Sequence, residues 1–168
     1  MHVELRGAEA NPFVEHPEFR LIWPTASSRI AQEATAEALE NGEEGVFVIH
    51  ADGTPVGMTG YFDLESADQG WWGLRWHGLV AQHRGKGISE QALGLVAGEI
   101  LNRHASARML VEYIPLTDYS AYLFRYFEGL GFSAVAPPEH VDWAPHRIQA
   151  HGINLHRLRQ LSRHASVQ

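Results

Sequence analysis

The residues with the clearest potential for chemistry form a short basic turn within residues 79–100. Gly85 and Gly87 leave the turn without side chains, so a ligand could approach its backbone closely. Arg84 and Lys86 place positive charge beside these glycines. Backbone N–H groups at the start of a helix are unpaired and favour an anion. The turn is therefore predicted to bind a phosphate or a pyrophosphate.

The segment after the turn has the apolar spacing of an amphipathic helix. Its apolar residues recur at intervals of three and four positions over about four turns. They are Ile88, Ala92, Leu93, Val96, Ala97, Ile100 and Leu101. Leu79 and Val80 end an apolar strand just before the turn. The sequence therefore predicts a strand, a basic turn and a long helix whose N-terminus faces the ligand.

Two common phosphate-binding motifs are absent from this turn. No Lys-Ser or Lys-Thr follows a glycine, as GxxxxGK[ST] requires, and Glu90 occupies the third glycine position of GxGxxG. The segment RGKGIS, residues 84–89, instead resembles the R/Q-x-x-G-x-G/A motif of the GNAT family of N-acetyltransferases, which binds the pyrophosphate of acetyl-CoA. Ser89 stands where that family usually has Gly or Ala. Residues 82–87 also satisfy the pattern, but the first alignment places the apolar helical residues as in the family.

A second segment supports the same resemblance. Residues 126–132, YFEGLGF, are similar to the late LYEKLGF segment of the GNAT family, which leads from a helix into a strand. The two segments follow each other in the family's order. The resemblance covers residues 19–135 and is weak over residues 1–17 and after Pro137.

The predicted elements follow the order β-α-β-β-β-α-β-α-β-β, which is similar to the acyl-CoA N-acyltransferase (GNAT) fold. Strands are predicted over residues 19–23, 46–49, 55–62, 71–80, 109–113, 132–135 and 147–155, and helices over 29–40, 88–103 and about 118–130. Asp52-Gly53 predicts a hairpin turn. We expect an α+β fold in α/β/α layers, with a mixed, mostly antiparallel central sheet. One domain is expected over residues 1–168, with residues 1–17 and the polar tail 157–168 at its periphery. A partial helix over 156–168 is an alternative for this tail.

The resemblance implies direct acetyl transfer from acetyl-CoA to an amine. The pantetheine arm would pair with the backbone of Leu79 and Val80. The pyrophosphate would bind amides of Gly85, Lys86, Gly87, Ile88 and Ser89, beside Arg84. The protein would supply positioning, oxyanion stabilisation, an acid for the leaving thiolate and a base for the amine.

The acid departs from the family pattern. The family's usual tyrosine position holds Phe127, which shares a helix face with Leu123 and Leu130 and is expected in the core. Tyr126 is the nearest replacement, although one step along a helix rotates a side chain by about 100°. The alternative is that Tyr126 is a half-buried aromatic residue whose hydroxyl lies in water.

The base departs from the pattern as well. The glutamate that some members use aligns with Gly73. Strand alternation places Trp72, Leu74 and Trp76 on one face and Gly73 and His77 on the other. His77, with a suitable ordinary pKa, is our first candidate for the base.

Glu112 on the neighbouring strand is the second candidate. A structural role for His77, an ion pair of Glu112 with Arg108, an exposed Glu112, and proton transfer through water are the alternatives that the sequence leaves open.

Composition limits which kinds of ligand and substrate the protein is expected to bind. The formal net charge of −7 argues against non-specific nucleic-acid binding and fits a cationic substrate, and the chain has no cysteine. His140, His146, His151 and His156 match no zinc pattern, so no metal is expected. No long apolar run predicts a membrane span, and a cytoplasmic protein is expected.

The leading hypothesis is an N-acetyltransferase acting on a small-molecule amine; a homodimer is compatible with the resemblance. A peptide or protein amine, a non-catalytic acyl-CoA-binding module and a nucleotide binder are the alternatives.

Overall fold

The computed structural model describes residues 1–8, 37, 41, 44–64, 69–116, 118, 120–136 and 147–164. The strand predicted over residues 19–23 and the loop predicted over 137–145 lie outside these ranges. So does the helix predicted over 29–40, except Glu37, which is helical.

Apart from Glu37, the regular elements of the described residues are seven strands, one 3₁₀ turn and three α-helices. The strands are β1 Val3–Gly7, β2 Val46–Ala51, β3 Thr54–Asp63, β4 Trp71–Leu79, β5 Met109–Pro115, β6 Ser133–Ala134 and β7 Ile148–Asn154. The 3₁₀ turn is Ala81–His83, and the helices are α1 Ile88–Arg103, α2 Ser120–Leu130 and α3 Leu155–His164.

The strands form one mixed sheet in the order β1-β2-β3-β4-β5-β7-β6. Every pair is antiparallel except β4 and β5, which are parallel. The hairpin between β2 and β3 turns at Asp52 and Gly53, with φ angles of 48° and 80°. Left-handed values at both positions suit a two-residue hairpin turn. The mixed, mostly antiparallel sheet with helices and the predicted hairpin are thus confirmed.

The parallel strands β4 and β5 separate part-way along their length. They pair only from Trp71 with Met109 to Gly73 with Val111. Beyond these pairs β4 continues to Leu79 and β5 to Pro115. The two strands therefore diverge towards their C-terminal ends, which leaves a gap in the sheet next to the start of α1.

The core lies between the sheet and α1. Ala92, Leu93, Val96 and Ala97 are 0% exposed, as the helical spacing predicts. They pack in clusters with residues of the sheet and, at the C-terminal half of α1, with Leu158 of α3. This packing fixes the N-terminus of α1 next to the gap.

Both peripheral segments of the chain contain regular structure. Val3–Gly7 forms the edge strand β1, because Val3 and Leu5 pack with Ile49 and Val56 on the α1 side of the sheet. The polar tail is helical from Leu155 to His164. Leu155 and Leu158, three residues apart, are 0% exposed, and Leu161 packs against the same cluster.

None of the helices in the described part of the chain combines the length and the apolar character needed to cross a membrane.

Candidate active site

The basic turn lies where the sequence places it, between β4 and the N-terminus of α1. Gly85 and Gly87 have φ angles of 70° and 73°, a conformation that glycine adopts without strain. A Cβ atom at either position would meet nothing within 4 Å. Gly87 precedes α1 and makes no side-chain capping bond. The helix N-terminus therefore opens onto an exposed, uncapped turn that carries Arg84 and Lys86.

The gap beside β4 receives backbone groups from the end of that strand. Val80 N–H donates to Val56 C=O at 3.0 Å, so the groups of Leu79 point away from β3 and towards the gap. Leu79 C=O accepts from Arg84 Nε at 3.0 Å. Val80 C=O accepts from His83 N–H at 3.0 Å. Of the predicted pantetheine partners, Leu79 thus faces the gap, and Val80 is bonded at both backbone groups.

A bulge in β4 changes which side chains face α1. The pairing with β3 shifts between Met58↔Gly78 and Gly60↔Arg75, and Trp76 takes a left-handed φ of 51°. After the bulge, Trp76 packs with Met58 on the sheet face opposite α1.

The prediction that Trp76 shares a face with Trp72 and Leu74 is therefore wrong, because those two residues pack against α1. His77 hydrogen-bonds Ser89 of α1, so it lies on the α1 face and not, as predicted, on the face of Gly73.

The position of Gly73 has no room for a larger side chain. A Cβ atom there would meet the Phe62 ring at 2.2 Å. Phe62 packs against a cluster with Leu64 and Val111 on the face away from α1. The ring of Phe62 therefore fills the place where the resemblance would put a glutamate.

Four polar side chains from four elements form one hydrogen-bonded chain. His77 Nδ1 lies 2.9 Å from Thr59 Oγ1, and His77 Nε2 lies 2.6 Å from Ser89 Oγ. Ser89 Oγ also hydrogen-bonds the hydroxyl of Tyr126. We call this set, Thr59–His77–Ser89–Tyr126, the hydroxyl–imidazole chain. It joins β3, β4, α1 and α2 at the uncapped end of α1.

Burial sets the protonation of this chain. It lowers the pKa of His77 to about 4, so the imidazole is neutral at physiological pH. Burial also raises the pKa of Tyr126 well above its ordinary range, while the hydrogen bond with Ser89 acts in the opposite direction. The Tyr126 phenol is therefore protonated and can act as a proton donor.

The direction in which Tyr126 points from α2 follows from the position of Phe127 in the core. Phe127 is 4% exposed and packs in the core with Phe132, as its periodicity predicts. Tyr126 is rotated from Phe127 by about 100° around α2. Its hydroxyl thereby reaches Ser89 rather than water, so the alternative of a solvated phenol is not what the structure shows.

Glu112 lies on β5, where its neighbours Leu110 and Ile114 face the cluster that includes Phe127. It is paired across the sheet with His151 of β7. Glu112 Oε2 is buried and has no hydrogen-bond partner among the described residues. Burial raises the pKa of its carboxyl to about 8.

The ion pair with Arg108 considered for Glu112 is not formed, since the Arg108 guanidinium donates to Gln69 C=O. Among the described residues, no group of three His, Asp or Glu side chains is placed to hold a metal ion. His151 is 2% exposed in β7, and His140 and His146 lie outside the described ranges.

Sequence reasoning missed the roles of Ser89 and Thr59 side chains. The sequence pattern indicates only a role for the backbone amide and the small size of Ser89. A signal for it existed, because a hydroxyl stands where the resembled motif has Gly or Ala. Thr59 carries no local signal, since only the fold brings β3 next to His77.

Comparison with protein-family models matches residues 14–132 to the acetyltransferase (GNAT) family. The chain belongs to this GNAT family. The family assignment agrees with the two sequence segments and with the strand order. Among curated proteins, no sequence match to the chain is found.

Solved structures show the same GNAT fold at low sequence identity. A protein assigned to the GNAT family from Desulfovibrio desulfuricans has a TM-score of 0.67 and 20% identity, covering 92% of this chain and 99% of its own. An aminoglycoside 6'-N-acetyltransferase complexed with coenzyme A has a TM-score of 0.60 and 14% identity, covering 92% of this chain and 97% of its own. A GNAT acetyltransferase from Elizabethkingia anophelis with acetyl-CoA bound has a TM-score of 0.59 and 12% identity, covering 91% of this chain and 97% of its own.

Proposed function

We propose that this GNAT protein transfers an acetyl group from acetyl-CoA to a primary amine of a small molecule. The observation that carries the proposal is the position of the Tyr126 hydroxyl. It is bonded to Ser89 in the first turn of α1, next to the uncapped helix end and the gap between β4 and β5. A buried proton donor and an anion-binding turn thus lie side by side.

The coenzyme would use the backbone at both ends of this arrangement. Its diphosphate would bind the amides from Gly85 to Ser89, where the helix dipole and the charges of Arg84 and Lys86 favour an anion. Its pantetheine arm would enter the gap and pair with Leu79. The acetyl-CoA and coenzyme A named with two structural neighbours support this choice of ligand.

The reaction follows from the groups at hand. A protonated amine first releases one proton to the base, which passes it to water. The neutral nitrogen then attacks the thioester carbonyl, and the C–S bond breaks as the tetrahedral intermediate collapses. The Tyr126 phenol donates its proton to the departing thiolate, which leaves as a thiol. The nitrogen loses a proton to a base, which leaves a neutral amide.

Glu112 is favoured over His77 as that base, because the two side chains differ in whether an acceptor atom is already hydrogen-bonded. Both ring nitrogens of His77 are bonded to hydroxyl groups, at 2.9 Å and 2.6 Å. Glu112 Oε2 has no partner among the described residues, and its pKa of about 8 suits proton transfer from an ammonium group. His77, our first candidate from the sequence, is instead proposed to act through Ser89.

The acceptor is proposed to be a small cationic amine. The net charge of −7 favours encounter with a cation. The name of one structural neighbour, an aminoglycoside 6'-N-acetyltransferase, supports an amine on a small molecule.

Calorimetry with acetyl-CoA, ATP and NAD, followed by thiol release with an amine library, tests the proposal. We expect saturable binding of acetyl-CoA alone and thiol release with small amines. Binding without release, or release only with peptides, would favour a binding module or a peptide acetyltransferase. Preference for ATP or NAD would contradict the proposal.

A further inference from the structure

We infer that the Ser89 side chain is a positioning residue that directs the Tyr126 O–H bond towards the leaving thiolate. It does so by fixing the donor direction along the hydroxyl–imidazole chain. This inference rests on the proposed function, because it assigns Ser89 a role in the same transfer step. The backbone amide of Ser89 in the turn is a separate feature, which any residue except proline would supply at this position.

When each hydroxyl donates within the chain wherever it can, the donor direction has two self-consistent forms. A neutral imidazole carries one N–H, so His77 donates at one nitrogen and accepts at the other. In the outward form, Thr59 donates to Nδ1, Nε2–H donates to Ser89, and Ser89 donates to the Tyr126 oxygen. In the inward form every donor is reversed, and Tyr126 donates to Ser89.

Only the outward form leaves Tyr126 able to protonate a thiolate. There the phenol oxygen accepts from Ser89 and its own hydrogen remains available. In the inward form that hydrogen is held by Ser89 and only lone pairs face the ligand. The structure therefore links the acid role of Tyr126 to the Nε2–H tautomer of His77, with Ser89 as the connecting group.

The inner end of the chain is closed to solvent. Thr59 is 0% exposed on β3, and both ring nitrogens of His77 are occupied. Tyr126, on α2, is the member at the opposite end of the chain. In the outward form, the buried Thr59 and His77 keep the hydrogen bonds directed towards Tyr126, and Tyr126 is the group that delivers a proton.

The proton balance of the step needs no additional reactant. The O–H bond of Tyr126 breaks and an S–H bond forms on coenzyme A. The remaining phenolate accepts the hydrogen bond from Ser89, which becomes stronger because its acceptor is now charged. The amine's proton passes to Glu112 and then to water, and water returns a proton to Tyr126.

A double-mutant cycle tests this inference. Replacing Ser89 by Ala keeps the backbone amide and removes the hydroxyl. We expect kcat to fall about 10- to 100-fold, the range for one hydrogen bond to a charged group, with acetyl-CoA affinity unchanged. In a Tyr126→Phe background, Ser89→Ala should cause no further loss of kcat. In the native background, Ser89→Thr keeps a hydroxyl and should retain most of the activity.

Equal losses from Ser89→Ala in both backgrounds would overturn the inference, because Ser89 would then act independently of Tyr126. An unchanged kcat in Ser89→Ala would overturn it as well. If the native protein does not bind acetyl-CoA, the proposed function itself fails, so the two failures are distinguishable by calorimetry.

A second measurement needs no turnover. The ¹⁵N chemical shifts of the His77 ring, assigned by comparison with His77→Gln, report its tautomer at neutral pH. We expect a neutral ring protonated at Nε2. A ring protonated at Nδ1, or at both nitrogens, would overturn the inference even if the protein is an active acetyltransferase.

Discussion

Ser89 Oγ lies 2.6 Å from His77 Nε2, and this contact joins the first turn of α1 to the bulged part of β4. The contact depends on the bulge, since regular alternation would direct His77 to the other face of the sheet. Trp76 takes the left-handed conformation that this requires, with φ at 51°. Non-glycine residues in this conformation cost energy and cluster at functional sites. The bulge therefore brings His77 into the hydroxyl–imidazole chain beside the uncapped turn.

Tyr126→Phe tests the proposed acid. Removing the phenol hydroxyl should lower kcat by about 10²- to 10⁴-fold, the usual contribution of a positioned acid, and leave the Kd of acetyl-CoA unchanged. Tyr122→Phe is the matched control, because Tyr122 lies one turn earlier on α2 and is 57% exposed. Similar kcat values for the two variants would contradict the role of Tyr126.

Gly87→Glu tests the anion-binding turn. A negative side chain at the start of α1 should repel the diphosphate and raise the Kd of acetyl-CoA by about tenfold or more. Gly53→Glu is the control, since Gly53 has the same left-handed backbone in the β2–β3 hairpin, with φ at 80°. Both variants place the same charge at a left-handed position where a Cβ atom meets nothing within 4 Å, so equal effects on the Kd would rule out a specific site at Gly87.

The pH dependence of activity tests Glu112 as the base. The carboxyl must be ionised to accept a proton, and burial raises its pKa to about 8. The kcat/KM for the amine should therefore rise with pH through about 8. In Glu112→Gln this rise should disappear, and kcat/KM at pH values above about 8 should be lower than in the native protein. Persistence of the same rise in the variant would assign it to another group, such as the amine itself.

The pH dependence of stability gives an independent check on the burial of Glu112. Its pKa is about 8 in the folded protein and 4.5 ordinarily, so between these values the folded state holds a proton that the unfolded chain has released. The free energy of unfolding should therefore fall as pH rises across this window, by an amount on the order of a few kcal/mol.

Glu112→Gln lacks this titration. Urea unfolding should show the variant gaining stability relative to the native protein as pH rises from 4.5 to above 8. A difference between the two proteins that stays constant with pH would show that Glu112 is not buried as the structure indicates.

Local patterns in the sequence were enough for much of the fold. Helical spacing located α1, and Asp52-Gly53 located the β2–β3 hairpin, because both signals depend on neighbours along the chain. The turn with Gly85 and Gly87 was found for the same reason. The edge strand β1 was not predicted, since it is stabilised by packing against distant elements.

The candidate site was only partly accessible to the sequence. Tyr126 and His77 were chosen as separate candidates, yet their link through Ser89 depends on contacts between α1, α2 and β4. The bulge at Trp76 has no local signal, because a left-handed conformation is atypical of tryptophan. Strand alternation therefore could not place His77 on the correct face.

A crystal structure with bound acetyl-CoA, or with coenzyme A and an amine, tests the central claim most directly. The account predicts the diphosphate on the amides from Gly85 to Ser89 and the sulfur within hydrogen-bond distance of the Tyr126 hydroxyl. A coenzyme bound elsewhere, or a sulfur remote from Tyr126 with its diphosphate in the turn, would contradict it.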